Sequence, residues 1–169
     1  MNAPPRRFTP EDSRVLMTEI VMPGDSNTHG TVFGGHVLAL VDKASAIVAM
    51  RHCKSAVVTA AIDRVDFLAG ARTGSILSVE ALLHAVFRTS MEVGVSVFSE
   101  DPESGRRHLT CRAYVTLVAL NHENRPTPVP PLELRGPDER RRAEEAAARR
   151  RQRQDSSDHA TDPSSPQAG

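Results

Sequence analysis

Hydrophobic and polar positions divide this chain into segments of contrasting period. Val15 to Met22 (VLMTEIVM) is short and mostly apolar. It stops at Pro23-Gly24-Asp25-Ser26-Asn27, a dense turn signal, and so predicts a strand. A glycine-bearing loop, Thr28 to Gly35, comes next. His36 to Cys53 then runs without Pro or Gly for longer than an ordinary strand, which predicts a helix. That helix is apolar on nearly every side and should be buried. Four further strands follow. Ala56 to Phe67 is extended and β-branched, and Gly70 to Gly74 is a turn. Ser75 to Arg88 alternates, with Leu77, Val79, Ala81, Leu83, Ala85 and Phe87 on one face and Ser78, Glu80 and His84 on the other. Ser90 to Phe98 alternates through Met91, Val93, Val95 and Val97. After a hairpin-type loop at Asp101 to Gly105, Arg107 to Leu120 aligns Leu109, Cys111, Ala113, Val115, Leu117 and Ala119.

One strand, a long buried helix and four antiparallel-capable strands predict an α+β fold rather than alternating βαβ units. A helix apolar all round needs a sheet wrapped about it. Such a sheet has open edges, which favours dimerisation.

Composition alters this picture mainly at the ends. From Arg135 to Gly169 there is no Val, Ile, Leu, Met, Phe or Tyr, while eight arginines and seven acidic residues crowd the segment. The expectation is a charged, largely disordered tail over 135–169, with a transient or solvent-exposed helix over Glu139 to Gln154. Residues 1–12 are polar and proline-containing, so they predict a flexible N-terminus, and 13–134 is the single packed domain. Over all 169 residues, 21 basic and 21 acidic side chains leave a net charge of zero, so no nucleic-acid partner is expected. No apolar run approaches the roughly 20 residues of a membrane span. The first residues lack the apolar region of a signal peptide, and two cysteines, Cys53 and Cys111, make no disulfide scaffold; both observations point to the cytoplasm.

The chemistry concentrates between Gly24 and Asp42. Asp42 lies inside the apolar helix with Leu38, Ala39 and Ala46 as its helical neighbours and only Ser45 polar among them. Burying an unpartnered carboxylate is costly, so Asp42 either reaches a crevice or holds a structural partner elsewhere. Gly34-Gly35 opens the helix, where amides lack intrahelical acceptors and carry partial positive charge. Without side chains there, a ligand oxygen can approach the backbone, although a tight turn alone would also call for glycine. Asn27 sits in the preceding turn, a place where asparagine often serves only the loop. The seven histidines show no metal-ligand spacing, and no metal is expected.

Pro23-Gly24-Asp25-Ser26-Asn27, His29-Gly30-Thr31-Val32-Phe33-Gly34-Gly35 and Asp42 together resemble the signature of the hotdog-fold acyl-CoA thioester hydrolases, the YciA-like and cytosolic group. Val58-Thr59 to Asp66-Phe67, Arg88-Thr89-Ser90-Met91-Glu92-Val93 and Ala113 to Leu120 followed by Asn124-Arg125-Pro126 match further family stretches in the same order. Asn124 departs from the glycine that members often carry there. The resemblance spans residues 14–132. It implies a hotdog fold, an antiparallel sheet wrapped around one long central helix, assembled as a homodimer or trimer of dimers.

It also implies hydrolysis of fatty acyl-CoA to free acid and CoA without a cofactor. Asp42 of one subunit and Asn27 of the other would flank the thioester, with the Gly35 amide polarising its carbonyl. Gly34, Val58, Thr59, Arg88, Thr89, Ser90 and Arg125 become candidates for substrate and CoA contacts. An acyl-thioester dehydratase of the same fold and a non-catalytic acyl-CoA sensor are the alternatives.

Overall fold

In the computed structural model, which describes residues 8–160, the five segments of strand character are β1 (Val15–Ile20), β2 (Ala56–Phe67), β3 (Ile76–Val86), β4 (Ser90–Glu100) and β5 (Arg107–Leu120). They form one antiparallel sheet in the order β1-β3-β4-β5-β2. The alternation anticipated in β3 to β5 is present: Leu77, Val79, Leu83, Met91, Val93, Val97, Ala113, Val115 and Leu117 are shut off from water. These side chains meet helix α2 (Gly34–Cys53), which lies against all five strands. Its buried stripe includes Val37, Leu40, Val41, Ala44, Val48 and Ala49. Each large side chain so enclosed is worth about 1.5–3 kcal/mol. This is the hotdog architecture. The helix begins two residues earlier than the sequence pattern indicated, because Gly34 and Gly35 already carry helical geometry.

β2 is an edge strand with two irregularities. Thr59 opposes Leu117 and Ala61 opposes Thr116, so Ala60 is an extra residue; Asp63 is a second, between Ile62 and Arg64. Thr59 therefore follows the inward-facing Leu117. Asp63 lies on the other side of the sheet, where it accepts a hydrogen bond from Thr116 Oγ1 at 3.4 Å. In a regular strand residues four apart share a face. At the opposite end of the sheet the Asn121–Arg125 turn puts Asn124 at φ 58°, a left-handed position where asparagine is the common substitute for glycine.

Both chain ends depart from expectation. Thr9 and Asp12 cap helix α1 (Pro10–Ser13): the Thr9 N–H donates to Asp12 Oδ2 at 2.7 Å. Phe8 bridges to Leu132, and its ring stands edge-on to His52. Residues 8–12 are thus tied down; residues 1–7 lie outside the described residues.

The larger correction concerns the tail. Helix α3 (Pro137–Ala160) lies across the outer face of the sheet. Ala146 on α3 is fully buried. Arg149 donates to both carboxylate oxygens of Glu92, at 2.7 and 3.2 Å, and stacks on Tyr114 with its guanidinium 3.8 Å from the ring centre. Arg153 pairs with Asp63, and Arg150 covers Phe87. Composition hid this docking because charge and π-stacking, with alanine as the only apolar contact, take the place of large hydrophobic side chains. Residues 161–169, where disorder was expected, lie outside the described residues.

Candidate active site

Asp42 lies two turns into α2 on the side facing β2. It is half-buried, and Thr59 Oγ1 donates to its Oδ1 at 2.6 Å. Among the described residues this is its one hydrogen bond, so Oδ2 is left for another donor. A short hydroxyl–carboxylate bond fixes the side-chain rotamer without neutralising its charge. Of the two readings of Asp42, the structure shows a hydrogen-bond partner, Thr59; among the described residues no cation pairs with the carboxylate, and Lys43 projects from a neighbouring face of the helix, exposed.

Eight residues earlier, about 12 Å along the axis, the helix starts. Phe33 is the N-cap and supplies no side-chain hydrogen bond. The N–H groups of His36 and Val37 go to the Phe33 carbonyl, at 2.9 and 3.3 Å, whereas those of Gly34 and Gly35 meet no acceptor among the described residues. Glycine is needed at Gly35 for a local reason as well: a Cβ there would lie 2.8 Å from the Phe33 ring. Gly34 is closed in by Phe67, whose ring would stand 3.4 Å from an added Cβ. Two adjacent amides, positively polarised and without an acceptor among the described residues, thus lie on the helix that carries the carboxylate.

Asn27 is engaged with its own loop. Its Oδ1 accepts the N–H groups of His29 (2.9 Å) and Thr31 (3.3 Å), and its Nδ2 donates to Thr31 Oγ1 at 3.0 Å. Within one chain it makes no hydrogen bond to Asp42. The 27–31 loop is closed further by the Asn27 N–H to Thr31 O bond at 2.8 Å and by a left-handed Gly30 at φ 71°.

The remaining candidates divide. Val58, nearly half exposed, and Thr59 adjoin the acid on β2. Arg88, Thr89 and Ser90 form the tight β3–β4 turn, closed by the Phe87 N–H to Ser90 O bond at 2.8 Å. That turn lies beside the end of β5, through Ala119 N–H to Thr89 O at 3.0 Å, near the start of β2 and away from Gly35. Arg125 projects from the next turn, exposed and ion-paired with Glu123. A single chain therefore joins Asp42 to Thr59 between α2 and the first half of β2, with Gly34 beside Phe67 at the far end of that strand, and leaves the Arg88–Ser90 turn two strands across from Val58 and Thr59.

Thr59 stood among the substrate contacts in the sequence reading; its hydroxyl instead serves the acid. Nothing in the local pattern separates it from any other β-branched strand residue. Thr31, which staples Asn27, was likewise hidden. No group of three or more His, Cys, Asp or Glu among the described residues could hold a metal. Burial pushes the Cys111 thiol up to about 11, with Asp66 adding to the effect, so it is no nucleophile.

The model of the thioesterase superfamily matches residues 29–106, from the Asn27 loop to the β4–β5 turn. An uncharacterised acyl-CoA thioester hydrolase of Bacillus subtilis, YkhA, is 39% identical over 130 residues, covering 77% of this chain and 75% of that protein. Among solved structures, an apo hexameric acyl-CoA thioesterase is 42% identical and superposes with a TM-score of 0.86, covering 90% of this chain and 97% of its own. An acyl-CoA hydrolase from Staphylococcus aureus, solved with butyryl-CoA and CoA, is 33% identical at a TM-score of 0.84, covering 92% and 94%. Alanine variants of that hydrolase at an aspartate, a threonine and an asparagine have also been solved. With the fold, the signature loop and 39% identity over 77% of the chain in agreement, the chain belongs to the acyl-CoA thioester hydrolases of the thioesterase superfamily.

Proposed function

We propose that this chain hydrolyses fatty acyl-CoA, converting RCO–S–CoA and water to the carboxylic acid and CoA–SH, with Asp42 as the acting acid. The observation that carries the assignment is the Asp42 carboxylate, oriented by Thr59 at 2.6 Å on a helix whose first amides are free. The Gly35 N–H polarises the thioester carbonyl and holds the oxyanion that forms when the carbonyl carbon is attacked. Asp42 either takes a proton from the attacking water or attacks directly, forming an anhydride that water then opens. In both routes the C–S bond breaks and CoA leaves as a thiolate. A thiol of ordinary pKa near 8.5 is a good leaving group, so no strong general acid is needed.

Asn27 completes the site from the partner subunit, across a dimer made by pairing β2 edges, and three such dimers form the assembly. A related thioesterase is hexameric, which supports this arrangement. The aspartate, threonine and asparagine varied in the Staphylococcus aureus enzyme have the same order and the same intervals along the chain as Asn27, Asp42 and Thr59, which supports the residue set. Arg88, Thr89, Ser90 and Arg125 then meet the CoA moiety, arginine being suited to its phosphates. No cofactor enters this chemistry. Two free thiols suit a cytoplasmic enzyme, and no helix among the described residues is long and apolar enough to cross a membrane.

The test is thiol release from a series of saturated acyl-CoAs by the wild type and by Asp42→Asn. The variant should fold normally and lose about a hundredfold or more in turnover. Turnover close to the wild type would refute the role of Asp42. Binding of acyl-CoA without thiol release by the wild type would favour a sensor.

A further inference from the structure

We propose that His36 is a positioning residue, a clamp that sets the first turn of α2 against the loop bearing Asn27; the inference rests on the hydrolytic reading above. Gly34 and Gly35 have no side chains with which to fix that turn. Phe33, the N-cap, gives it no side-chain bond and is 61% exposed. His36 is the first helical residue able to anchor it, and it does so through one hydrogen bond and one looser approach to a carboxylate. Its Nε2 bonds Glu19 Oε1 on β1, and its Nδ1 lies 3.6 Å from Asp25 Oδ1.

Asp25 is itself held at both ends. Its Oδ2 accepts the Met22 N–H at 3.1 Å, and its carbonyl accepts the Phe33 N–H at 2.7 Å. One imidazole thus joins β1, the Pro23–Asp25 turn and α2, and the Asn27 loop departs from that turn through Ser26. The ring acts on the reaction through its neighbour: displacing the Gly35 amide by about 1 Å suffices to cost on the order of a hundredfold in rate.

The experiment compares the full-length wild type with His36→Leu, His36→Gln and Glu19→Ala, the last removing the acceptor. Two quantities are read: steady-state kinetics on acyl-CoA, and hydrogen exchange of the Phe33, His36 and Val37 amides, which needs no turnover. His36→Leu should lower kcat by about 10- to 100-fold while KM changes by less than about threefold. Exchange at the three amides should accelerate by about tenfold or more, with the core strands unchanged. Combining His36→Leu with Glu19→Ala should add little to either effect, since both break one clamp. Glu19→Ala by itself should accelerate exchange at the same amides, and it carries the test if His36→Leu does not fold. Unchanged exchange, or a kcat within about twofold of wild type in a folded His36→Leu, would overturn the clamp. Absence of thiol release from the wild type would instead overturn the hydrolytic reading, while the exchange measurement would still decide the clamp.

Discussion

At the scale of single residues, the site is an acid whose orientation depends on one hydroxyl. Thr59→Val keeps the shape of β2 and removes the 2.6 Å bond to Asp42. A hydrogen bond to a charged group is worth about 1.5–3 kcal/mol, so kcat should fall by about 10- to 100-fold with folding preserved; thiol-release kinetics and circular dichroism check both parts. Asp42 and Gly35 stood out in the sequence because each broke a local rule, an acid among apolar neighbours and a glycine pair opening a helix, whereas Asn27, an ordinary turn residue, stood out only through the family resemblance. Thr59 and His36 broke none. A threonine in a strand and a histidine near a helix start are ordinary, and only the register of β2 and the position of Glu19 reveal what they hold.

At the scale of elements, the strands were readable from their alternation and α2 from its length, since both patterns record burial directly. The helical character of α3 was readable too, but its docking was not, because it is held through guanidinium groups. Its hold on the sheet centres on Glu92, which is 1% exposed. Burial alone would raise the pKa of this carboxyl. The nearby His84, its Nδ1 3.8 Å from Glu92 Oε1, and the two hydrogen bonds from Arg149 outweigh that effect and hold it below the ordinary 4.5. A depressed carboxyl pKa contributes stability above the unfolded value, and this is lost as pH falls through the folded value. The wild type should therefore lose stability progressively below about pH 4.5 as Glu92 protonates. Arg149→Ala strands a buried carboxylate and should cost about 3–5 kcal/mol near neutrality, with a shallower acid limb, measured by denaturant unfolding across pH. Gly94 belongs to the same cluster: a Cβ there would fall 2.0 Å from the His84 ring, which lies flat over the strand.

At the scale of the whole molecule, the decisive question is which chain completes which site. One chain keeps Asn27 and Asp42 apart, each bonded locally. If the site is shared, co-expressed Asp42→Asn and Asn27→Ala chains should recover activity that neither has alone. Random pairing makes half of the dimers mixed, each with one intact site, so about a quarter of wild-type turnover is expected. Recovery no greater than the sum of the two variants would place the whole site in one chain. Sequence pattern pointed to open sheet edges, but a single chain's pattern carries no record of its neighbour, so this part of the site was the least readable.

The extra residue at Ala60 has a consequence for how this protein can change. Thr59 serves the helix on one side of β2 and Asp63 the arginine helix on the other, although a regular strand would have turned both the same way. The inserted residue uncouples the two halves of the strand. Variation beyond it can remodel how the C-terminal helix is moored while the acid keeps its partner, so the helix mooring and the Asp42–Thr59 pair are free to diversify separately along one ribbon of backbone.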